Sequence, residues 1–304
     1  MQRVRIDGEE NIVTTEAQPN KVPQFRFESL LPSEMAQKAE STGVKKANLD
    51  TLSTMALAVL AGAFIAIGAV FATIAWTGTS SMIPWGWGRV LGGIAFSTGL
   101  VLVVVGGAEL FTGNNLIVMA WVNRKFSTWH LLRNWGLVYV GNFVGAIGTV
   151  QFLFLGKQFE MAGGAVGMTA LNIGLAKVNL DFLQAVVLGI LCNALVCLAV
   201  WLSFSARSTV DRIVAVIFPI AAFVAAGFEH CVANMYFIPL AILIKSWAPA
   251  TFWQAIGTSP AAYQDLTWYA FFLHNLLPVT IGNIIGGVFL VAVVYWFVYL
   301  RKKS

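Results

Sequence analysis

Long apolar stretches are the feature that most constrains what this chain can fold into. A helix needs about 20 residues to cross a bilayer core of about 30 Å, and six stretches after residue 50 reach that length. Two of them, 87–122 and 214–244, are too long for one straight helix, and each holds a glutamate near its middle. The pattern predicts an all-α membrane protein with six transmembrane helices, of which helices 2 and 5 are broken. The four unbroken spans are expected at 52–76, 131–155, 182–204 and 276–300.

The distribution of charge divides the chain into two parts. Only 11% of the 304 residues are charged and 58% are hydrophobic, which is far more apolar than a soluble domain. The charges crowd into the first 50 residues, which predicts a cytoplasmic N-terminal arm over 1–50 and a transmembrane transport domain over 51–304. Apolar residues at helical spacing between Leu30 and Ala39 predict a short amphipathic helix in the arm. This helix either gates the pore or anchors the arm at the membrane surface.

Basic residues indicate how the chain is oriented. With six crossings both termini lie on one side, and fifteen of the 19 lysines and arginines fall on that side. Because positively charged loops are retained in the cytoplasm, we predict a multi-pass protein of the cytoplasmic (inner) membrane with both termini cytoplasmic. The net charge of +5 reflects this bias, so the lipid bilayer is an expected partner and nucleic acid is not.

The two halves of the apolar region resemble each other. The two long stretches match without a gap around Glu109 and Glu229, and Asn142 and Asn283 recur at equivalent places in the third and sixth spans. Three spans per unit is an odd number, so the second unit enters the membrane from the opposite face and the repeat is inverted. Broken helices at matching positions of two inverted halves indicate a permeation site. The predicted units are 51–156 and 182–300.

His230 and two glutamates carry the ionisable chemistry at membrane depth. An ionisable side chain in a membrane span is usually functional, and the imidazole of His230 can donate a hydrogen bond to an anion or pair with one when charged. The alternative for His230 is a structural bond to a carbonyl freed by the break. Glu109 and Glu229 occupy equivalent points of the two breaks. We expect them to accept from free N–H groups of the half-helices that follow, rather than to touch substrate.

Further candidates lie beside the breaks. Half-helices starting after Thr112 and Val232 would present unpaired N–H groups and a partial positive charge to a small anion. Thr112 would add a hydroxyl donor, or act as a cap. Lys177, in the expected external loop before the fourth span, either concentrates anions at a vestibule or is simply solvated. Four apolar residues near the breaks would form constrictions or pack in the core: Phe96, Leu100, Leu110 and Phe223.

Several motifs together indicate a family. They are Leu30-Leu31-Pro32 with Met35-Ala36 in the arm, Gly107-Ala108-Glu109-Leu110-Phe111-Thr112, Val196-Cys197-Leu198-Ala199-Val200-Trp201, and Gly227-Phe228-Glu229-His230 followed by Ala233-Asn234-Met235. From about Phe27 to Lys302 the chain resembles the formate/nitrite transporter family. The resemblance implies an aquaporin-like protomer in a homopentamer, with a pore for formate, nitrite or hydrosulfide in each subunit.

The same resemblance implies roles for individual residues. His230 is similar to the family's central histidine, Lys177 to its vestibule lysine, Thr112 to its loop threonine and Asn193 to its pore asparagine. The constriction residues implied by the resemblance are Phe96, Leu100, Leu110 and Phe223.

The expected function is transport of small monovalent anions together with protons, with formate first and nitrite or hydrosulfide as alternatives. The loop after Thr112 reads Gly113-Asn114-Asn115, where several formate channels have Ser or Thr, which leaves the anion open. A neutral-solute channel of the aquaporin type would carry Asn-Pro-Ala at both breaks, and this chain does not. Histidine and cysteine spacing offers no haem or metal ligand set, so we expect no enzyme activity, no cofactor and no metal.

Residue patterns do not decide between a passive anion channel and a proton-coupled carrier. The membrane potential opposes anion import by roughly 2.3 kcal/mol per 100 mV. Protonation near His230 would remove that cost. The hypothesis is therefore import as the neutral acid and pH-sensitive export as the anion.

Overall fold

The computed structural model describes residues 28–79 and 83–301, and every regular element within them is helical. Two π-helical segments, Ala270–Leu276 and Gly286–Val293, interrupt the last long helix. Short 3₁₀ turns are Gly113–Ile117, Gln158–Gly164 and Pro260–Tyr263. The α-helices are α1 Pro32–Ala47, α2 Thr51–Trp76, α3 Trp85–Gly106, α4 Val118–Val122, α5 Thr128–Leu155, α6 Ala165–Val178, α7 Phe182–Ser205, α8 Thr209–Ala226, α9 Cys231–Trp247, α10 Ala250–Ile256, α11 Leu277–Ile285 and α12 Val294–Tyr299.

Two long helices begin at the same kind of cap. Asp50 accepts a hydrogen bond from the N–H of Ser53 at the start of α2, and Asp181 accepts one from Gln184 at the start of α7. Each carboxylate satisfies a backbone donor that the first helical turn leaves unpaired.

Both long stretches that the sequence predicts to be broken are divided at a glycine. Gly107, with φ +77°, is the C-cap of α3, and Gly227, with φ +77°, is the C-cap of α8. Glycine is favoured at these two ends because a side chain strains the left-handed backbone conformation. The chain resumes helical turns at Gly113 in the first case and at Cys231 in the second.

One expectation about the spans is wrong. Residues between α5 and α7 were expected to form an external loop, but they form a 3₁₀ turn followed by α6. Turn and helix together, Gln158–Val178, make one of seven segments in the described residues that match a membrane span in length and composition, although the kink between them leaves α6 itself only 14 residues long. A turn with Gly163 and Gly164 at positive φ leads directly into α6. The segment after that turn is rich in Ala, Leu, Ile and Val, and it therefore packs as a helix against α9.

The packing has apolar residues outside and amides inside. Phe152 and Phe218 are more than 70% exposed, whereas Asn142 and Asn283 are fully buried. α2 packs between α3 and α5, and α7 packs between α8 and α11. A Cβ on Gly145 would lie 1.9 Å from the carbonyl oxygen of Val59, so α5 and α2 approach closely only because that side chain is absent. The chain is a multi-pass membrane protein.

Candidate functional site

The two breaks meet at one hydrogen bond. Oγ1 of Thr112, from the first break, lies 3.0 Å from Nε2 of His230, from the second. Both residues are buried, at 0% and 2% exposure. The two breaks therefore face each other, and an ionisable ring and a hydroxyl lie side by side in the buried interior.

Helix geometry determines which nitrogen of His230 carries the proton. His230 is the N-cap of α9, and its Nδ1 accepts a hydrogen bond of 3.0 Å from the backbone N–H of Ala233. A nitrogen that accepts from N–H has no proton of its own, so the neutral ring carries its proton on Nε2. Nε2 then donates to Oγ1 of Thr112, which leaves the hydroxyl proton of Thr112 available for another acceptor.

The four predicted constriction residues fall into two pairs, of which one packs on His230. The Phe223 ring stacks on the His230 ring at 5.9 Å, and the Phe96 ring meets Phe223 edge-on at 5.7 Å. Leu100 and Leu110 instead line a cavity of about 260 Å³ next to α1. All four are at most 2% exposed, so the Thr112 to His230 contact lies in an apolar environment.

Lys177 lies in a buried cluster, and not in the loop where it was expected. It is on the last turn of α6, and its Nζ donates to Oε1 of Glu229 at 2.7 Å. The other carboxylate oxygen accepts from the side-chain amides of Asn234 at 2.7 Å and Asn275 at 3.3 Å. These four residues form what we term the Lys177 cluster.

A matching group surrounds the first glutamate, and the sequence analysis missed its lysine. Lys46, on α1, contacts Oε1 of Glu109 at 2.9 Å, and Asn114 donates to Oε2 of Glu109 at 2.6 Å. Asn114 also donates to Asn134. We term these four residues the Lys46 cluster. A sequence signal was present, since Lys-x-Asn-Leu-Asp occurs at both 46–50 and 177–181.

Two buried asparagines connect each break to the neighbouring helices. The side-chain amide of Asn142 donates to Ala58 O and Glu109 O, and its Oδ1 accepts from the N–H of Phe111. Asn283 bonds in the same way to Gly189 O, Glu229 O and the N–H of Cys231. Backbone groups freed by the breaks are satisfied by these amides, as buried polar groups require.

Asn193 joins the two halves. Its side-chain amide donates to Oδ1 of Asn115 at 3.0 Å and to the carbonyl of Asn283 at 2.6 Å. It is fully buried on α7. Cys197, one turn later, is within 3.4 Å of the carbonyl of Thr112. Asn193 and Cys197 thus place α7 directly against the loop that carries Thr112, through Asn115 and the Thr112 carbonyl.

The cavity beside α1 is surrounded by positive charge. Lys38, Lys46 and Arg212 line it together with Glu109. Lys38 donates to the carbonyl of Phe204 at the end of α7. Burial, together with the charges of Arg212 and Arg207, lowers the pKa of Lys38 below its ordinary value. An anion in this cavity meets more cations than carboxylates.

Two expectations about the breaks are corrected. Glu109 and Glu229 accept from lysine and asparagine side chains rather than from the N–H groups of the following half-helices. The first N–H groups of α9 are also not all free, since those of Cys231 and Ala233 are bonded to Asn283 and His230. The side chains around the breaks, and not the helix starts alone, provide the polar surroundings.

Comparison with known proteins identifies the family. A profile described as formate/nitrite transporter matches residues 33–297. The chain belongs to the formate/nitrite transporter family. The prediction of a transport protein rather than an enzyme is thereby confirmed.

Curated relatives within this family are named as formate channels. The chain is 47% identical to formate channel FocA of Escherichia coli strain K12 over 278 residues, which cover 91% of this chain and 97% of the relative. It is 42% identical to FocA of Haemophilus influenzae, over 87% of this chain and 93% of the relative. Formate channel FocB of E. coli is 39% identical over 92% of this chain and 99% of its own length.

Solved structures of similar fold agree with this assignment. One titled as a pentameric formate channel with formate bound has a TM-score of 0.76 and 45% identity, covering 83% of this chain and 98% of that one. Another, titled as an FNT family ion channel, has a TM-score of 0.73 at 24% identity, over 88% of this chain and 99% of its own. The second likeness concerns the fold alone.

Proposed function

We propose that this protein moves formate across the membrane through the site at Thr112 and His230. The observation that carries the proposal is the hydrogen bond joining the two breaks, in an apolar centre flanked by the Lys46 and Lys177 clusters. Each lysine attracts a small anion toward the interior, and each glutamate prevents the lysine from trapping it. The anion then exchanges water for the hydroxyl of Thr112 and the Nε2–H of His230.

Proton coupling follows from the cap that His230 forms. A doubly protonated ring has N–H at both nitrogens, so its Nδ1–H would oppose the N–H of Ala233, and the ring charge would lie at the positive end of α9. An imidazolium at this position is therefore a ready proton donor, and formate bound at Nε2 accepts the Nε2 proton. The cap on Ala233 is restored once the remaining proton has left Nδ1 and Nε2 is protonated again. Import as the acid thus avoids carrying charge across the apolar pair Phe96 and Phe223.

The hydrogen bonds support an inverted repeat of six crossings, with units wider than the sequence analysis predicted. Lys46, Glu109 and Asn142 have their counterparts in Lys177, Glu229 and Asn283, with the same partners in each half. We propose that α1 opens the first unit and α6 opens the second. The contact of Lys38 with Phe204 places α1, which opens the first unit, beside the end of α7 in the second unit.

We place the Lys46 cluster on the cytoplasmic side, because the basic residues cluster there. The Lys177 cluster then faces outward from the inner membrane. We also propose a homopentamer with one pore per chain, on the basis of the relative titled as a pentameric formate channel.

The test is flux into liposomes that contain a pH-sensitive dye. Formate, nitrite, hydrosulfide and glycerol are compared for the unaltered protein, His230→Asn and His230→Phe. Asparagine is a good N-cap, so His230→Asn keeps the cap on Ala233 and removes only the ring. Because the acid releases its proton inside, we expect formate influx to acidify the lumen by a route that does not depend on added protonophore, and both variants to lose that coupling.

Each outcome has a distinct meaning. If glycerol alone enters, the proposal of anion transport is wrong, and if nitrite or hydrosulfide enters faster than formate, that anion is the substrate. Coupling retained in His230→Asn but lost in His230→Phe would mean that His230 serves only as a cap.

A further inference from the structure

Among the residues that the structure describes, Arg89 is a strongly positive group beside the second break with no role in the proposed function. It lies half-buried on the second turn of α3. Its Nε donates to the carbonyl of Ala225 at 3.1 Å and its Nη2 to the carbonyl of Val224 at 2.7 Å. Both carbonyls belong to the last turn of α8, whose carbonyls lack the usual helical donors. The carbonyl of Val224 also accepts from the N–H of Gly227 at 3.1 Å, so Arg89 is a second donor there.

Aromatic rings hold the Arg89 guanidinium and connect it to Lys177. The guanidinium carbon lies 5.1 Å from the Trp76 ring and 5.8 Å from the Trp85 ring. Trp76 in turn stacks with Phe237 at 6.4 Å, and Nζ of Lys177 lies 5.4 Å from that same Phe237 ring. Arg89 and Lys177 therefore flank one aromatic row on the same side of the site.

The first break has no such arginine. A Cβ at Gly227 would lie 3.3 Å from Nη2 of Arg89, whereas a Cβ at the equivalent Gly107 would have no neighbour within 4 Å. Within the described residues, no side chain donates to the equivalent carbonyls of Val104 and Val105. Arg212 lines the cavity there, but its side chain does not bond to these carbonyls. The two breaks have the same backbone conformation at their glycines, but only the second has an arginine bonded to the carbonyls of the preceding helical turn.

The difference matters for an anion. A helix ends with roughly half a negative charge on its unpaired carbonyls, and the end of α8 leads directly into Phe228, Glu229 and His230. Left uncapped, that end would repel an anion approaching His230 past Lys177. A guanidinium bound to two of the carbonyls cancels this charge and also fixes the turn that presents His230.

We propose that Arg89 is a positioning residue that makes the Lys177 side of the site accessible to anions by capping the end of α8. This inference rests on the proposed function. It predicts an effect on one side only, because the end of α3 on the Lys46 side carries no equivalent cap.

The test compares Arg89→Gln, Arg89→Lys and the control Lys157→Gln. Glutamine has similar length and no charge, and lysine keeps the charge without the bidentate geometry. Lys157 is an exposed cation that follows α5 at the same end of the molecule as the start of α6, so its loss removes an equal charge from outside the site. The rate of formate entry is measured against formate concentration in right-side-out and in inside-out membrane vesicles.

We expect Arg89→Gln to raise the half-saturating formate concentration about fivefold when formate meets the Lys177 side, with less than a twofold change from the Lys46 side. Added salt should shrink the difference, because screening weakens exposed charge. Lys157→Gln should stay within about twofold of the unaltered protein on both sides. Arg89→Lys keeps the charge but not the bidentate contact, so its rise on the Lys177 side should be smaller than that of Arg89→Gln.

An equal rise from both sides, a fall in maximum rate with no change in half-saturation, or the same rise in Lys157→Gln would overturn the proposal. If Arg89→Gln does not assemble, Arg89→Lys decides, since a fivefold rise there contradicts the role of charge. Absence of formate entry in the unaltered protein overturns the proposed function and this inference together, whereas normal entry that is indifferent to Arg89 overturns only the inference.

Discussion

At the scale of residues, the two lysine and glutamate pairs differ in how far they are shielded from water. The Lys177 and Glu229 side chains are 16% and 5% exposed, while those of Lys46 and Glu109 are 27% and 6% exposed. A buried ion pair adds little net stability, but removal of one partner leaves a charge that nothing compensates. Removing one partner of the Lys177 and Glu229 pair should therefore lower the stability of the protein more than removing one partner of the Lys46 and Glu109 pair.

We predict that Lys177→Met destabilises the protein by about 3–5 kcal/mol, and that Lys46→Met costs less because water reaches its partner more easily. The double variant Lys177→Met with Glu229→Gln should recover most of the loss, since no orphan charge remains. The measurement is the temperature at which half of the intact oligomer is lost in size-exclusion chromatography after heating. Equal losses in the single and double variants would show that the ion pair itself is the stabilising element.

Sequence reasoning located most of these residues but not their partners. His230, Glu109 and Glu229 were found because an ionisable group in an apolar span is conspicuous. Lys46 was missed because it lies among other charges in the arm, where a lysine is usually solvated. Contacts between residues far apart in the chain, such as Lys46 with Glu109, depend on how helices pack, and one sequence does not report that distance.

At the scale of elements, close helix crossings depend on individual glycines. We predict that Gly145→Ala fails to pack, because its methyl group would lie 1.9 Å from the carbonyl oxygen of Val59, and overpacking of this kind costs about 1–3 kcal/mol or more. Gly148→Ala, on the same helix, has no neighbour within 4 Å and serves as the matched control. Thermal stability of the purified protein should fall for Gly145→Ala alone. Because alanine favours a helix over glycine, Gly148→Ala should be neutral or slightly stabilising, and a similar fall in both variants would contradict the role of the Val59 contact.

The start of α2 should respond to acid through Asp50. The N–H of Ser53, its hydrogen-bond donor, lowers the pKa of the Asp50 carboxyl below the ordinary value of 3.8. A lowered pKa means that the cap contributes fully above pH 3.8, and that its contribution is lost as the pH falls through the lower folded value. Asp50→Asn keeps a capping oxygen that does not titrate, so its acid unfolding curve should be less steep than that of the unaltered protein, as circular dichroism would show. Identical curves would exclude Asp50 from the acid response.

Helix positions could be predicted where a stretch was long and uniformly apolar. They could not be predicted where a short apolar stretch also carried a charged residue. The breaks near Glu109 and Glu229 were expected because their stretches exceeded one crossing. α6 was not expected, because at 14 residues it is shorter than a span and Lys177 near its end reads as part of a loop. Only packing against α9 shows that this segment is an integral part of the fold.

At the scale of the whole molecule, a single chain leaves large apolar side chains uncovered. Phe71, Phe152, Phe218 and Phe289 are all more than half exposed, and lipid or neighbouring copies must cover them. We predict that the protein purified in mild detergent has the mass of five chains by native mass spectrometry, in line with the proposed homopentamer. A stable monomer that still transports formate would show that each pore works alone and that assembly is not required.

The order of the charged residues along the chain has a consequence for biosynthesis. In both clusters the lysine precedes its glutamate, Lys46 before Glu109 and Lys177 before Glu229. As the ribosome extends the chain, each carboxylate therefore leaves the exit tunnel after its cation has been made. Neither glutamate has to enter the lipid phase before its lysine has been synthesised. The asparagines that also bond within the clusters, Asn134 and Asn275, are synthesised after the glutamates.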